Sequence, residues 1–237
     1  MLKMNKDIKA SVLLFGGSFD PPHLGHKAML QHVLKTIPIS KVIILPCNIQ
    51  PLKVKEFSPA ADRLSMCKIQ FDTSKFIDKD KTIDTSKLVV ANNPLLNIEI
   101  SVSDYEIKKK GLSYTVDTVK HFKELCPEDK IYVLMGEDSF LDIEKWKSPK
   151  DLFTLCSMVV LPRNKTAHKD PGALIEHAKK IKKEYGADMI IMDEFDHPAS
   201  STEIRLKLLE GLRSEYLEEY LDKDVLDYIS SHNLYKR

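Results

Sequence analysis

Ser11-Val12-Leu13-Leu14-Phe15-Gly16-Gly17, running on through Ser18-Phe19-Asp20-Pro21-Pro22 into His23-Leu24-Gly25-His26, is the stretch that decides the fold. The first five residues form a short β-type run that stops at the glycine pair. From His26 onward, apolar residues recur at Leu30, Val33, Leu34 and Ile37, the spacing of one helical face. A strand that turns through glycines into a helix is half of a βαβ unit. The rest of the chain repeats the rhythm. Lys41–Leu45 is a second buried strand ended by Pro46, and Ser58-Pro59 supplies an N-cap and a first-turn proline for a helix with Leu64, Cys67 and Phe71 inward. Asn97–Val102 alternates like a strand, and Ser113–Leu125 reads as a helix with Val116, Val119 and Phe122 in one stripe. Ile131–Met135, Ser157–Leu161 and Met189–Met192 complete the set of strands. Continuous apolar strands alternating with amphipathic helices imply a parallel sheet covered on both faces. The expected class is α/β and Rossmann-like.

Two segments fit this rhythm poorly. Residues 72–93 are polar and carry Asp78-Lys79-Asp80-Lys81, which reads as a surface insertion, and residues 163–186 are mostly charged and are expected to hold one solvated helix. Neither has enough apolar sequence around it for a separate core, so residues 1–237 are read as one domain.

Composition narrows the function classes. Lys plus Arg is 36 against 35 for Asp plus Glu, a net charge of +1. Duplex-binding domains usually carry a strong basic excess, so nucleic-acid wrapping is not expected, although a local phosphate site is compatible with this balance. Apolar residues are 43% and charged residues 30%, an ordinary globular composition. The longest apolar runs are far too short for a bilayer, and MLKMNKDIKAS lacks the apolar region and cleavage site of a leader. Cys47, Cys67, Cys126 and Cys156 form no CxxC pair and read as reduced thiols of a cytoplasmic protein.

The chemistry concentrates where the first strand ends. In an open α/β sheet, ligands bind outside the carboxyl ends of the strands. A helix opening near His23 aims its positive end at that space, which favours a phosphate. His23 and His26, three apart on the first turn, can donate to the same anion, and Gly25 between them leaves room for close approach. A metal half-site is the competing reading of the two histidines, but no nearby Cys or Glu completes a zinc set.

The longer string GGSFDPPHLGH resembles the HxGH nucleotidyltransferase superfamily, and within it the bacterial nicotinate-nucleotide adenylyltransferases. LPCNIQPLKVKEFSPAADRLSM, KGLSYTVDTVKHF and MGEDSFLDIEKWKSPKDLFTLCSMVVLPR are similar to that family's later segments in the right order, and SSTEIR at residues 200–205 matches its SSTxIR. The resemblance runs from about Leu13 to Tyr235. It implies a Rossmann-like nucleotidyltransferase fold. It also implies transfer of the AMP moiety of ATP to nicotinate mononucleotide, with release of pyrophosphate and with Mg²⁺ carried mainly by the ATP phosphates.

The same resemblance distributes roles. His23, His26, Lys53 and Arg205 would act on the phosphates as the catalytic set. Gly16, Gly17, Ser18, Phe19, Gly25, Gly136, Asp138, Ser200, Ser201 and Thr202 would bind ATP, while Tyr114, Thr115, Trp146 and Lys147 would hold the mononucleotide. Two positions depart from the pattern. Leu52 stands where a histidine commonly precedes the Lys53 cation, and Ala199 replaces a branched apolar residue before SSTEIR. Read on their own, Ser200 and Glu203 have the spacing of a capping box, Trp146 could be a core residue, Asp138 a helix cap and Lys53 a solvated lysine. Nicotinamide mononucleotide as acceptor, and a nucleotide sensor without turnover, are the alternatives. The partners expected are small molecules, with no nucleic acid and no membrane, and a homo-oligomer is compatible with the sequence.

Overall fold

A computed structural model of the protein describes residues 10–52, 58–76, 98–162, 172–195, 197–211 and 216–236. Six strands form one sheet: β1 (Ser11–Gly17), β2 (Lys41–Pro46), β3 (Glu99–Val102), β4 (Lys130–Gly136), β5 (Ser157–Leu161) and β6 (Met189–Ile191). Their order is β3-β2-β1-β4-β5-β6, with every pair parallel. Parallel neighbours need crossover connections, and helices supply them. α1 (Leu24–Thr36) joins β1 to β2; α2 (Ala60–Gln70) and α3 (Thr73–Phe76) follow β2; α4 (Tyr105–Lys109) and α5 (Thr115–Leu125) lead from β3 to β4. α6 (Glu137–Leu141) and α7 (Pro149–Leu155) lie between β4 and β5, α8 (Ala173–Tyr185) precedes β6, and α9 (Ser201–Leu209) and α10 (Lys223–Ser231) end the chain. This is the doubly wound order of a Rossmann fold, whose switch point lies between β1 and β4.

The strands are apolar throughout because both faces are covered. Val12 and Leu14 of β1 join Ile131, Val133 and Met135 of β4 in a cluster with α5, α7 and α8. Leu13 and Phe15 point the other way, with Tyr132 and Leu134, onto Leu30, Val33 and Leu34 of α1 and Cys67 of α2. A third cluster joins Met66 to Ile204, Leu217, Val225, Ile229 and Tyr235, so α9, α10 and the chain's end pack on α2 rather than on the sheet. Among the described residues no helix is long and apolar enough to cross a membrane.

The expected strands and helices are present, with informative differences. Gly16 and Gly17 do not interrupt β1; they belong to it, paired with Leu45 and Pro46 as its last two residues. The turn comes later, at Phe19, whose φ of 49° lies in the left-handed region that L side chains rarely adopt. Its ring is only 2% exposed and packs edge-on against Phe15 at 5.3 Å and Phe71 at 5.9 Å, which holds the backbone there. Ser58 is not the N-cap of α2. Pro59 takes that place, and the Ser58 hydroxyl donates instead to Asp20 Oδ1 at 2.6 Å. Leu64 is only half-buried, while Arg63, Met66, Cys67 and Gln70 form the inward face of α2. The charged segment before β6 does hold a helix, α8, which buries Leu174 and Ile181. Asn97, residues 77–93 of the first apparent insertion and 163–171 of the second lie outside the described residues.

The two residues on α2 separate the apolar-face expectation from the observed one. Met66→Ala should cost about 2–5 kcal/mol, as expected for emptying a sealed site, whereas Leu64→Ala should cost well under half as much. Urea unfolding of both variants measures this, and equal losses would contradict the observed face.

Candidate active site

The carboxyl ends of β1 and β4 open into a cleft of about 820 Å³, bounded also by the segment after β2, the start of α5, the turn after α6 and the start of α9. Every candidate residue that the structure describes lines this cleft: Gly16, Gly17, Ser18, Phe19, His23, Gly25, His26, Tyr114, Thr115, Gly136, Asp138, Trp146, Lys147, Ser200, Ser201, Thr202 and Arg205. Lys53 lies outside the described residues.

His23 is the N-cap of α1 and His26 its third residue. His26 Nδ1 accepts a hydrogen bond from the His23 backbone N–H at 3.2 Å. That bond assigns the ring proton to Nε2 in the neutral form, which makes Nε2 the donor of the His26 ring. The two imidazoles lie 3.7 Å apart, centroid to centroid, and His26 also meets the Phe19 ring at 4.9 Å. Gly25 is small for a reason other than ligand access. A Cβ there would lie 2.9 Å from His23 Nδ1 and 3.2 Å from His197 Nδ1, so the glycine lets two imidazoles close over the first turn of α1.

At α9 the Ser200 side chain accepts from the Glu203 N–H, a capping role, and the Ser201 hydroxyl donates to the Pro21 carbonyl at 2.9 Å. Arg205 donates through Nη1 to the Asp20 carbonyl at 2.6 Å and through Nη2 to Thr202 Oγ1 at 3.2 Å. SSTEIR is thereby fastened to the Asp20-Pro21 turn, 180 or more residues away in sequence. The hydroxyls of Ser200 and Ser201 are occupied, while the leading N–H groups of a helix have no partner within it. The Ser18 hydroxyl is occupied too, donating to Gln50 Oε1 at 2.6 Å. The ring of Phe19 is buried, which leaves its backbone as the part that faces the cleft.

Asp20 is 3% exposed, and its carboxylate accepts from Ser58 and, at 2.6 Å, from the hydroxyl of Tyr235. Burial, then the Asp20 carboxylate beside it, pushes the Tyr235 hydroxyl well up, so it stays a donor.

On the opposite wall, Tyr114 caps α5 and Thr115 is its first residue. Trp146 is half-buried and packs one side on the core cluster around α5 and α7. Lys147 Nζ sits 4.6 Å over the Tyr114 ring and 3.2 Å from both Asp117 oxygens. Lys109 and Lys147 together hold the Asp117 carboxyl below its ordinary range, Lys109 contributing most. Asp138 is exposed in the first turn of α6.

Three residues of this neighbourhood escaped the sequence reading. Glu106 lines the cleft at 8% exposure and accepts from Thr118 Oγ1 at 2.6 Å. Burial pushes its carboxyl up, against the hydrogen bonds of Thr118 and Ser113 and the charge of Lys109. Nothing in DYEIKKK marks it. His197 also lines the cleft, accepting from the Ala199 N–H at 3.1 Å. Arg63, beneath the cleft, shares a helical stripe with Met66 and Gln70, a signal that the sequence does carry.

Among the described residues no group of three or more His, Cys, Asp or Glu side chains comes together as a metal site. The imidazole pair packs on the rings of Phe15 and Phe19.

Comparison with known proteins agrees with this geometry. The cytidylyltransferase-like family model matches residues 14–207. A Clostridium botulinum (strain Kyoto / Type A2) protein named "Probable nicotinate-nucleotide adenylyltransferase" is 33% identical over 224 residues, covering 94% of this chain and 98% of the relative. An Aquifex aeolicus protein of the same name is 33% identical over 173 residues, covering 73% of this chain and 84% of its own. Among solved structures, the Plasmodium falciparum nicotinic acid mononucleotide adenylyltransferase complexed with NaAD superposes with a TM-score of 0.69 at 20% identity, covering 95% of this chain and 97% of that one, a likeness of fold.

The raised Glu106 carboxyl has a pH signature. An acid whose pKa rises on folding binds its proton more tightly in the native state, so it withdraws stability as pH climbs from the usual glutamate range near 4.5 through the raised value. Glu106→Gln removes that loss. Urea midpoints taken in steps from about pH 4.5 to about pH 8 should move in favour of the variant as pH rises; a constant gap would show that Glu106 titrates normally.

Proposed function

This chain belongs to the cytidylyltransferase-like family and to the nicotinate-nucleotide adenylyltransferases, and from that premise we propose how its cleft works. The enzyme transfers the adenylyl group of ATP to nicotinate mononucleotide, forming the deamido dinucleotide and pyrophosphate, a step of NAD biosynthesis. The observation that carries the division of roles is the convergence of three distant segments on one cleft. The two histidines of the β1–α1 turn, Arg205 on α9, and the Tyr114–Trp146 wall face a common space.

The nucleophile is a phosphate monoester whose second pKa is about 6, so it is already charged at neutral pH and needs no general base. The protein's task is to bring two polyanions into line and to neutralise the charge that grows on the leaving pyrophosphate. In our reading His26 does the latter through Nε2–H. Its Nδ1 is fixed by the His23 backbone, so the ring is preorganised as a donor and pays no reorganisation during the reaction. His23, Arg205 and the leading N–H groups of α9 hold the remaining ATP oxygens. The backbone of Gly16, Gly17 and Phe19 lets the triphosphate lie against the end of β1, and Asp138 with the Gly136 turn accepts from ribose hydroxyls.

Trp146 offers an indole face to the pyridine ring, which its ribosyl bond makes cationic. Tyr114, Thr115 and the main chain of Lys147 complete the acceptor wall, the Lys147 ammonium being engaged by Asp117. Lys53 adds a cation from the segment after β2. Mg²⁺ would arrive with ATP, bound mainly through the phosphate oxygens, and would supply charge neutralisation there. One domain suffices for this reading, and neither nucleic acid nor a membrane takes part.

Pyrophosphate release with MgATP, comparing nicotinate with nicotinamide mononucleotide, tests the reading directly; a higher kcat/KM for the nicotinate form is expected, and no release with it would overturn the assignment. His26→Ala should lower kcat by roughly 10²–10³-fold, the cost of one lost transition-state donor, while removing a helix-capping contact worth only about 1 kcal/mol. Near-normal turnover would exclude His26 from the phosphate site. Trp146→Ala should raise the KM for the mononucleotide about tenfold or more, as base stacking of about 1–3 kcal/mol implies, and leave the KM for ATP unchanged. An unaltered mononucleotide KM would show that the ring does not stack.

A further inference from the structure

Arg63 is the fourth residue of α2 and is 1% exposed. A buried guanidinium persists only where its donors are satisfied. Four of its hydrogen bonds go to main-chain carbonyls: Nη1 to Ser18 at 2.8 Å and Cys47 at 2.7 Å, Nη2 to Asn48 at 2.8 Å, and Nε to Ser58 at 3.3 Å. These acceptors belong to the turn after β1, the segment leaving β2, and the approach to α2. One rigid planar fork therefore cross-links three pieces of chain just beyond the β1–β2 ladder, whose last bond runs from the Cys47 N–H to the Gly17 carbonyl at 2.9 Å.

The consequence reaches both walls of the cleft. In a trans peptide unit the N–H points opposite to the C=O. The unit joining Cys47 and Asn48 turns its oxygen to Arg63, and its N–H donates to Ser113 Oγ at 2.9 Å. The Ser113 N–H in turn donates to the Ile49 carbonyl at 2.9 Å. Ser113 immediately precedes Tyr114 and Thr115. On the other side, Arg63 grips the carbonyl of Ser18, whose hydroxyl reaches Gln50 on the same segment as Asn48. The phosphate turn and the acceptor wall are thus tied to each other through Arg63, which does not itself line the cleft.

We propose that Arg63 is a positioning residue for adenylyl transfer: it sets the separation between the β1–α1 phosphate turn and the Ser113–Thr115 acceptor wall. The proposal rests on the reading of function above. In-line attack tolerates little error, and a misplacement of about 1 Å can cost on the order of 100-fold in rate without weakening either ligand. Lysine preserves the charge but, as a single-point donor, cannot span three segments.

The test is steady-state kinetics of pyrophosphate release for the whole protein, with melting temperatures measured alongside. Arg63→Lys should lower kcat by roughly 10–100-fold, leave both KM values within about threefold, and keep that deficit when the assay is cooled well below its melting temperature. Ser113→Ala breaks the second half of the same link and should lower kcat by a smaller factor. The double variant should lose no more than Arg63→Lys alone, since both act through one connection. A kcat for Arg63→Lys within about twofold of wild type, a deficit that vanishes on cooling, or additive losses would each overturn the proposal. Should Arg63→Lys fail to fold, Ser113→Ala decides alone, and a wild-type kcat there refutes the link. Absence of turnover in the wild-type protein would overturn the functional reading and this inference with it.

Discussion

The pairing of β1 constrains everything else in the molecule. β1 is hydrogen-bonded to β2 on one edge and β4 on the other, and both of its faces are sealed by helices. A strand so placed can hold only apolar or very small residues, so its polar groups must appear beyond its end. The ladder to β2 runs out at Gly17 and Pro46, and the one to β4 at Phe15 and Leu134. With the doubly wound order, helices diverge to opposite faces from this point and leave a gap between them. The cleft occupies that gap, where the strand ends leave the ladder and their backbone groups turn out of the sheet.

The gap is lined by turns rather than by regular structure, so its precision depends on side chains gripping main chain. Phe19 holds a left-handed backbone by burying its ring, Arg205 and Ser201 fasten α9 to the Asp20-Pro21 carbonyls, and Tyr235 reaches back from near the chain's end to the Asp20 carboxylate. These are buried or half-buried bonds in a low-dielectric setting, where a lost partner is costly and a made one is directional. The third apolar cluster, around α2, α9 and α10, is what delivers several of them. Packing far from the chemistry therefore sets where the chemistry's donors stand.

The α/β class and the strands were legible because parallel strands covered on both faces are unbroken apolar runs, and β1, β4 and β5 are such runs. Gly16 and Gly17 misled for a physical reason. Glycine after a strand usually signals a turn, but glycine also fits a strand end that needs no side chain, and here Phe19 supplies the turn. The HxGH pair and SSTEIR were legible as motifs, and so was the Ser200 cap on the Glu203 N–H, from its spacing. The bonds of the Ser18 hydroxyl to Gln50 and of the Ser201 hydroxyl to Pro21 were not, because they join segments far apart in sequence. Glu106 was invisible because an isolated carboxyl in a charged stretch carries no periodicity. Arg63 was visible in principle, lying on the inward stripe of α2, but a charge there conflicts with the hydrophobic pattern unless the carbonyls awaiting it are known.

A near-neutral chain that handles two polyanions needs its positive potential to be local, and in the proposed site few formal charges would supply it. The β1–α1 turn brings two imidazoles to the cleft and α1 and α9 both begin beside it, so fixed dipoles would carry much of the field. Dipoles of this kind are already oriented when substrate arrives, whereas a cluster of lysines would have to be immobilised and would repel itself when empty. The Arg205 guanidinium is a formal cation fastened into this arrangement, and its Nη1 bond to the Asp20 carbonyl fixes its plane. A main-chain acceptor orients a guanidinium fork without adding a formal charge of its own. The same logic holds for Arg63, whose hydrogen bonds also run to main-chain carbonyls. Behind the phosphate turn it contributes positive potential through the low-dielectric interior, where it is screened least.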